Sequence, residues 1–167
     1  MTWDRHSLGD PAAPLVVVEH ADFECPYCAA AAPVLRRLVD GSDGRVRLVF
    51  RHLPLFTRHP FALTAALASE AAAEQGRFWE LHDELFAHQG ELTDAHLVAH
   101  AARAGVPEPE LVVGEHAQRH RPAVEADYAD AGAAGARGTP TLFVDGRLYT
   151  GRVEESALRR ELGLPRR

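Results

Sequence analysis

A β-branched run, Leu15-Val16-Val17-Val18, gives way within a few positions to Cys25-Pro26-Tyr27-Cys28. No other feature of the chain constrains its fold as much. Apolar β-branched residues without helical periodicity read as a buried strand, running here to about Ala21. Proline is favoured at the first position of a helix, where its missing N–H costs nothing. A helix is therefore predicted from Pro26 to about Val39, with Leu35 and Leu38 on its apolar side. Pro33 removes a backbone bond and should kink it. Gly41 and Gly44 end it, and Arg45 to Leu53 reads as a second strand. Strand, helix and strand over this length make a βαβ unit with parallel strands.

From residue 58 to about 134 the pattern changes. Leu63, Ala66, Leu67 and Ala71 recur at helical spacing, and Phe78, Leu81, His82, Leu85 and Phe86 do so more clearly. Gly76, Gly90, Gly105 and Pro107 punctuate the stretch, so about four or five helices and no strand are expected. Thr141-Leu142-Phe143-Val144 returns to strand. Asp145-Gly146 turns the chain back through Arg147-Leu148-Tyr149, since Asp-Gly between apolar runs is a strong hairpin signal. Glu154 to Leu162 is a final short helix. The layout is α/β: a βαβ unit, a helical insertion over 58–134, then ββα. Residues 1–57 and 135–167 are expected to form the core with a mixed sheet.

The 167 residues are 46% hydrophobic and 25% charged, which suits one globular domain. A formal charge of −6 argues against a nucleic-acid partner, because phosphates need a basic stripe. All 18 basic side chains are Arg, so no lysine can form a Schiff base or place an ammonium beside a thiol. The opening MTWDRHSLGD lacks the apolar run of ~7–15 residues of a secretory leader. No stretch approaches the ~18 apolar residues of a membrane span. These features predict a cytoplasmic protein with no membrane partner.

The chain has 2 cysteines, Cys25 and Cys28, too few for a disulfide scaffold. A lone C-x-x-C is a dithiol redox centre or half of a zinc site. Zinc needs two further ligands. Among the 10 histidines, the pair weighed as ligands is His116 and His120 at i,i+4 spacing, and they read as solvated polar residues on an insertion helix, so no metal is expected. Cys25 stands where a strand hands over to a helix. Unpaired N–H groups and the positive end of the helix dipole should lower its pKa below the free value of about 8.5. That makes Cys25 the nucleophile and leaves Cys28, one turn on, to close the ring. Glu19 follows the valines on the face shared by Val17 and Ala21. It is either solvated at a strand end or a buried proton carrier for Cys28, and the residues alone leave both open.

Other residues carry blander expectations. His20 is a strand-edge polar residue, or else faces and tunes Cys25. His52 and His59 are structural or exposed. Phe78 and Trp79 belong to the insertion core. Asp22 and Glu24 put negative charge near the thiol and should moderate its acidity. Arg159, Arg160, Arg166 and Arg167 form a solvated helix end. Pro140, in Gly138-Thr139-Pro140-Thr141, opens a strand, which is where proline is tolerated. The base rate for a cis X–Pro bond is about 5–6%, so spacing alone favours trans.

Several of these stretches together resemble the DsbA-like branch of the thioredoxin superfamily. They are Val18-Glu19-His20-Ala21-Asp22-Phe23-Glu24-Cys25-Pro26-Tyr27-Cys28, Arg51-His52-Leu53-Pro54-Leu55, His59-Pro60, Phe78-Trp79-Glu80-Leu81-His82 and Gly138-Thr139-Pro140-Thr141. The resemblance covers nearly the whole chain. It implies a thioredoxin fold with an all-helical insertion lining a substrate groove. It implies that Pro140 is a cis-proline beside the cysteines and that Thr139 offers its backbone to a substrate as an added strand. Glu19 becomes the buried acid beneath the disulfide. Pro26 and Tyr27 join Thr139 and Pro140 as candidate substrate contacts, although Pro-Tyr between the cysteines is typical of glutaredoxins. The implied activity is thiol–disulfide exchange with a disulfide-bearing protein or a glutathione-like thiol, recycled by an unidentified redox partner and needing no cofactor. The alternatives are a glutathione-linked reductase or isomerase of the same superfamily, and a non-enzymatic zinc or iron–sulfur module.

Overall fold

The computed structural model describes residues 5–166, and the sheet at its centre is built around the valine run. Strand β2 (Leu15–Ala21) is flanked by β3 (Val46–His52), parallel to it, and β4 (Thr141–Val144), antiparallel to it. β5 (Arg147–Tyr149) extends the sheet beyond β4, and β1 (Ser7–Leu8) pairs antiparallel with the far side of β3. The order is β1-β3-β2-β4-β5, a mixed sheet of 5 strands. β1 was not expected. Two residues show no alternation, and what creates the strand is the open edge of β3. Gly9, at φ +101°, turns the chain away from it, where a Cβ would stand 2.6 Å from the Val46 carbonyl oxygen. The hairpin turn forms at Asp145 and Gly146, both at positive φ, as a two-residue turn between twisted strands requires.

Helix α1 (Pro26–Asp40) begins with Cys25 as its N-cap and continues through Pro33 as one element. Leu35 and Leu38 bury against Val17, Leu48 and Leu142, and helix α7 (Glu155–Glu161) covers them with Leu158. Arg159 departs from its expected place in a solvated helix end. It is buried, donating from Nη1 to the Gly41 carbonyl at 3.1 Å and from Nε to the Pro165 carbonyl at 2.7 Å. A guanidinium can satisfy a carbonyl left over at the end of α1. Arg160 and Arg166 are exposed as expected, and Arg167 lies outside the described residues, as do 1–4 of the opening segment.

Between β3 and β4, the described residues form helices only: α2 (Ala62–Glu74), α3 (Phe78–Ala87), α4 (Asp94–Arg103), a 3₁₀ turn (Pro109–Val112), α5 (Gly114–Gln118) and α6 (Arg121–Ala133). α2 is the middle of this layer. Its alanines let neighbouring helices approach on nearly every side, so it lacks the one-sided pattern of a surface helix. Phe78, Leu81, Leu85 and Phe86 of α3 pack with Phe23 and Phe50, which joins the helical layer to the sheet around the cysteines.

A buried charge network also ties the layer to the sheet. Glu70 Oε1 on α2 accepts from His6 Nε2 at 2.8 Å and His52 Nε2 at 3.0 Å, with Arg5 Nε at 3.3 Å. Asp127 on α6 pairs with Arg5 and accepts the His52 amide at 3.0 Å. Burial opposes ionisation of Glu70, but the His52 and His6 imidazoles outweigh it and hold the carboxyl well below its ordinary range. Burial pushes His6 down to about 4, so it stays neutral at neutral pH. Removing one member of such a network strands the others. Glu70→Ala is therefore expected to lower unfolding free energy by about 3–5 kcal/mol, read from urea midpoints. A loss below about 1 kcal/mol would show that the network adds little.

Candidate active site

β2 delivers Asp22, Phe23 and Glu24 to the start of α1, where Cys25 and Cys28 are both buried free cysteines. Cys28 is fully buried inside the first turn, while Pro26 and Tyr27 are exposed, Tyr27 by 74%. Thr139–Pro140 is a cis peptide bond, as the resemblance implied and the base rate did not. It brings the Thr139 carbonyl to 3.4 Å from the Cys25 sulfur, across 114 residues of sequence.

The two thiols are driven apart. Hydrogen bonding from the Cys28 thiol lowers Cys25 most; burial opposes this, and Thr139 and the amides of Cys28 and Tyr27 add to the lowering, leaving the pKa at about 5. The Thr139 hydroxyl is buried with no hydrogen-bond partner, and the Thr139 atom in contact with the Cys25 sulfur is the carbonyl oxygen. Burial pushes the Cys28 thiol far up, and its bond to Cys25 and the nearby Glu19 push the same way. The helix start thus acts on Cys25 as expected, but the neighbouring thiol contributes more than the amides do.

Glu19 is fully buried, and neither carboxyl oxygen has a hydrogen-bond partner. Its neighbours in register are Phe50 on β3 and Leu142 on β4, both buried, with Val17 and Ala21 beside it along the strand. Burial in this apolar setting raises its pKa from 4.5 to about 8, and the charge on Cys25 adds to the rise. The solvated-strand reading of Glu19 is therefore excluded.

His20 neither faces Cys25 nor lies at a strand edge. It belongs to central β2 on the face opposite Glu19, buried against Phe143 and paired in register with Thr141 and Arg51. Asp22 is buried and accepts from the Glu24 amide at 2.7 Å, the Leu55 amide at 2.7 Å and His59 Nδ1 at 2.8 Å. Glu24 accepts the Phe61 amide at 2.7 Å. Both carboxylates clamp the loop beside the cysteines. Sequence reasoning passed over Gln89, just beyond α3, whose side-chain amide donates to the carbonyls of Phe23 at 2.8 Å and Cys25 at 2.9 Å. Gln next to His and Gly in a loop carries no signal that it reaches back to a cysteine.

Trp79 is half-buried and donates its indole N–H to the Ser7 carbonyl at 3.0 Å, which agrees with a packing role. Among the described residues, three clusters have potential metal ligands: His6/His52/Glu70, Glu74/His116/His120 and Glu84/His88/His100. None includes a cysteine. In each, an arginine already occupies the carboxylate: Arg5 on Glu70, Arg119 on Glu74 and Arg103 on Glu84. His116 and His120 sit 3.0 and 3.3 Å from Glu74, so their spacing reflects a surface ion-pair cluster.

A family model described as thioredoxin matches residues 2–162. A thioredoxin-like oxidoreductase from Silicibacter pomeroyi DSS-3 is 31% identical with a TM-score of 0.80, over 94% of this chain and 89% of that one. BdbD from Bacillus subtilis shares the fold at 23% identity and a TM-score of 0.82, over 95% of this chain and 91% of its own. Among curated relatives, the Na(+)/H(+) antiporter NhaA 1 of Salinispora arenicola is 45% identical over 155 residues, which is 92% of this chain and 23% of the antiporter. NhaA 1 of Mycolicibacterium gilvum is 40% identical over 159 residues, 94% of this chain and 26% of that protein. The chain spans about a quarter of the length of these curated relatives.

Proposed function

This chain belongs to the thioredoxin family, and we propose that it catalyses thiol–disulfide exchange through Cys25 and Cys28 in the manner of the DsbA-like branch it resembles. The observation that carries this reading is the opposite displacement of the two thiols, one held as thiolate and the other as thiol. The Cys25 thiolate attacks a substrate disulfide, forming a mixed disulfide and expelling one substrate thiolate. Forming the mixed disulfide removes the Cys25 charge that helps raise Glu19; the ionised form of Glu19 then takes the Cys28 proton, and the Cys28 sulfur attacks the Cys25 sulfur. The second substrate thiolate leaves, the substrate is reduced, and the Cys25–Cys28 pair is oxidised. A dithiol substrate runs the same steps backwards. Thr139, half-buried at the head of β4, offers backbone to a docked chain, while exposed Pro26 and Tyr27 border the approach. The substrate is a disulfide-bearing protein or a small glutathione-like thiol. Antiport, for which the curated relatives are named, is not part of this proposal. The chain aligns with about a quarter of those proteins, and among the described residues no helix is long and apolar enough to cross a membrane.

The redox potential tests the reading. A nucleophile at about 5 lies between thioredoxin's ≈ 7 and the ≈ 3.5 of DsbA itself. The potential should then fall between theirs, at roughly −150 to −220 mV, when the pair is titrated against glutathione or dithiothreitol buffers. A value near −120 mV or below about −270 mV would contradict the balance of contacts described around Cys25.

A further inference from the structure

Among the described residues, the Gln89 side chain joins the helical layer directly to the backbone of the redox loop. It leaves the chain just after α3, half-buried, and a single amide nitrogen bridges the carbonyls of Phe23 and Cys25 at 2.8 and 2.9 Å. The Cys25 carbonyl also accepts the amides of Cys28 and Ala29, each at 3.1 Å, so it belongs to the first turn of α1. On the other side of the loop, the Asp22 carboxylate ties it to Leu55 and His59. The segment between strand and helix is thus held from two directions, and Gln89 is the side chain that joins the carbonyl of Cys25 to the helical layer.

We propose that Gln89 is a positioning residue for Cys25, through which the helical layer fixes the turn that aims the sulfur at Thr139 and at the amides opening α1. The inference rests on Cys25 being the nucleophile. Gln89 touches no reacting atom, and its effect travels through two carbonyls. Without Gln89 the Cys25 carbonyl keeps its two helix amides, but the Phe23 carbonyl loses the donor shown for it and the tie between it and Cys25 is gone; a buried carbonyl that loses its donor seeks another, and the loop rotates when it does. Rotation of the N-cap moves the sulfur away from the contacts that favour its thiolate.

Gln89→Met tests this, because it keeps the side chain's length and bulk and removes the donor. The readout is the pH dependence of Cys25 in the reduced protein, followed by thiolate absorbance and by the rate of alkylation. The wild-type midpoint is expected near 5. The variant's midpoint should rise by about one pH unit, making alkylation at pH 5 about five-fold slower and leaving the rate at pH 8 nearly unchanged. Gln89→Glu, whose ionised carboxylate repels both carbonyls, should raise it further, and Gln89→Arg, which restores a donor, should recover part of the shift. A folded Gln89→Met protein with a midpoint within about 0.2 units of wild type would overturn the proposal. If Gln89→Met does not fold, the same limit applies to Gln89→Glu. A wild-type midpoint near the free-cysteine value would instead overturn the nucleophile assignment itself, so the two failures are distinguishable.

Discussion

Cys25→Ser should abolish disulfide exchange, a loss of at least about 10³-fold, while Cys28→Ser should accumulate mixed disulfides with its substrates. The asymmetry follows from the two environments. At neutral pH nearly all of Cys25 is thiolate, since its pKa lies at about 5. Serine at that position keeps its proton and is a far poorer nucleophile toward sulfur. Cys28 cannot replace it, being fully buried with its thiol pushed far up. In Cys28→Ser the first step survives, but no internal sulfur remains to release the substrate. Incubation with a disulfide-bearing protein and a non-reducing gel reads the outcome. Reducible adducts are expected with Cys28→Ser and none with Cys25→Ser. The reverse pattern would exchange the assigned roles.

Glu19→Gln should change both stability and catalysis, with opposite signs. The wild-type carboxyl ionises at 4.5 in an ordinary setting and at about 8 in the fold. Between those values the unfolded chain has released the proton and the folded protein still holds it. Rising pH therefore favours the unfolded state across that window, and the loss is complete above about 8. Glutamine has no proton to lose. The reduced variant should match wild type below about pH 4.5 and be more stable by roughly 2–5 kcal/mol at pH 9. Cys25 contributes an opposite slope to both proteins, and the part of the Glu19 rise that the Cys25 charge supplies remains in the difference. In catalysis the amide cannot accept the Cys28 proton, so release of the mixed disulfide should slow by about 10²-fold or more. Urea titrations across pH test the first effect and stopped-flow release of a mixed-disulfide peptide tests the second. Release at the wild-type rate would remove Glu19 from the proton path.

Much of the architecture was written locally. The valines of β2, the proline at the first turn of α1 and the Asp-Gly hairpin each state a backbone preference that needs no partner from afar. The predicted and observed bounds of these elements agree within about a residue. Their order, with helices alone between β3 and β4, carries the fold class. The place of Cys25 at a helix start was also legible, because a cysteine immediately before a helical proline meets unpaired amides whatever surrounds it.

What was not legible depends on contacts between segments far apart in the chain. Whether Glu19 met water could not be decided on β2, because Phe50 and Leu142 arrive from strands on either side to seal it. His20 is adjacent in sequence yet turns to the other face, so nearness to Cys25 along the chain misled. Arg159 looked like one of a solvated group until the end of α1 supplied a carbonyl for it. Asp22 and Glu24 looked like charges near a thiol until the loop at 55–61 came to claim them. Gln89 gave no sign at all. Backbone preference is a property of a residue and its immediate neighbours, so the sequence alone determined the elements, their order and the place of Cys25 at the start of a helix. Burial, pKa and hydrogen-bond partner depend on which surfaces the fold presses together, so only the tertiary structure decided what Glu19, Arg159 and Gln89 do.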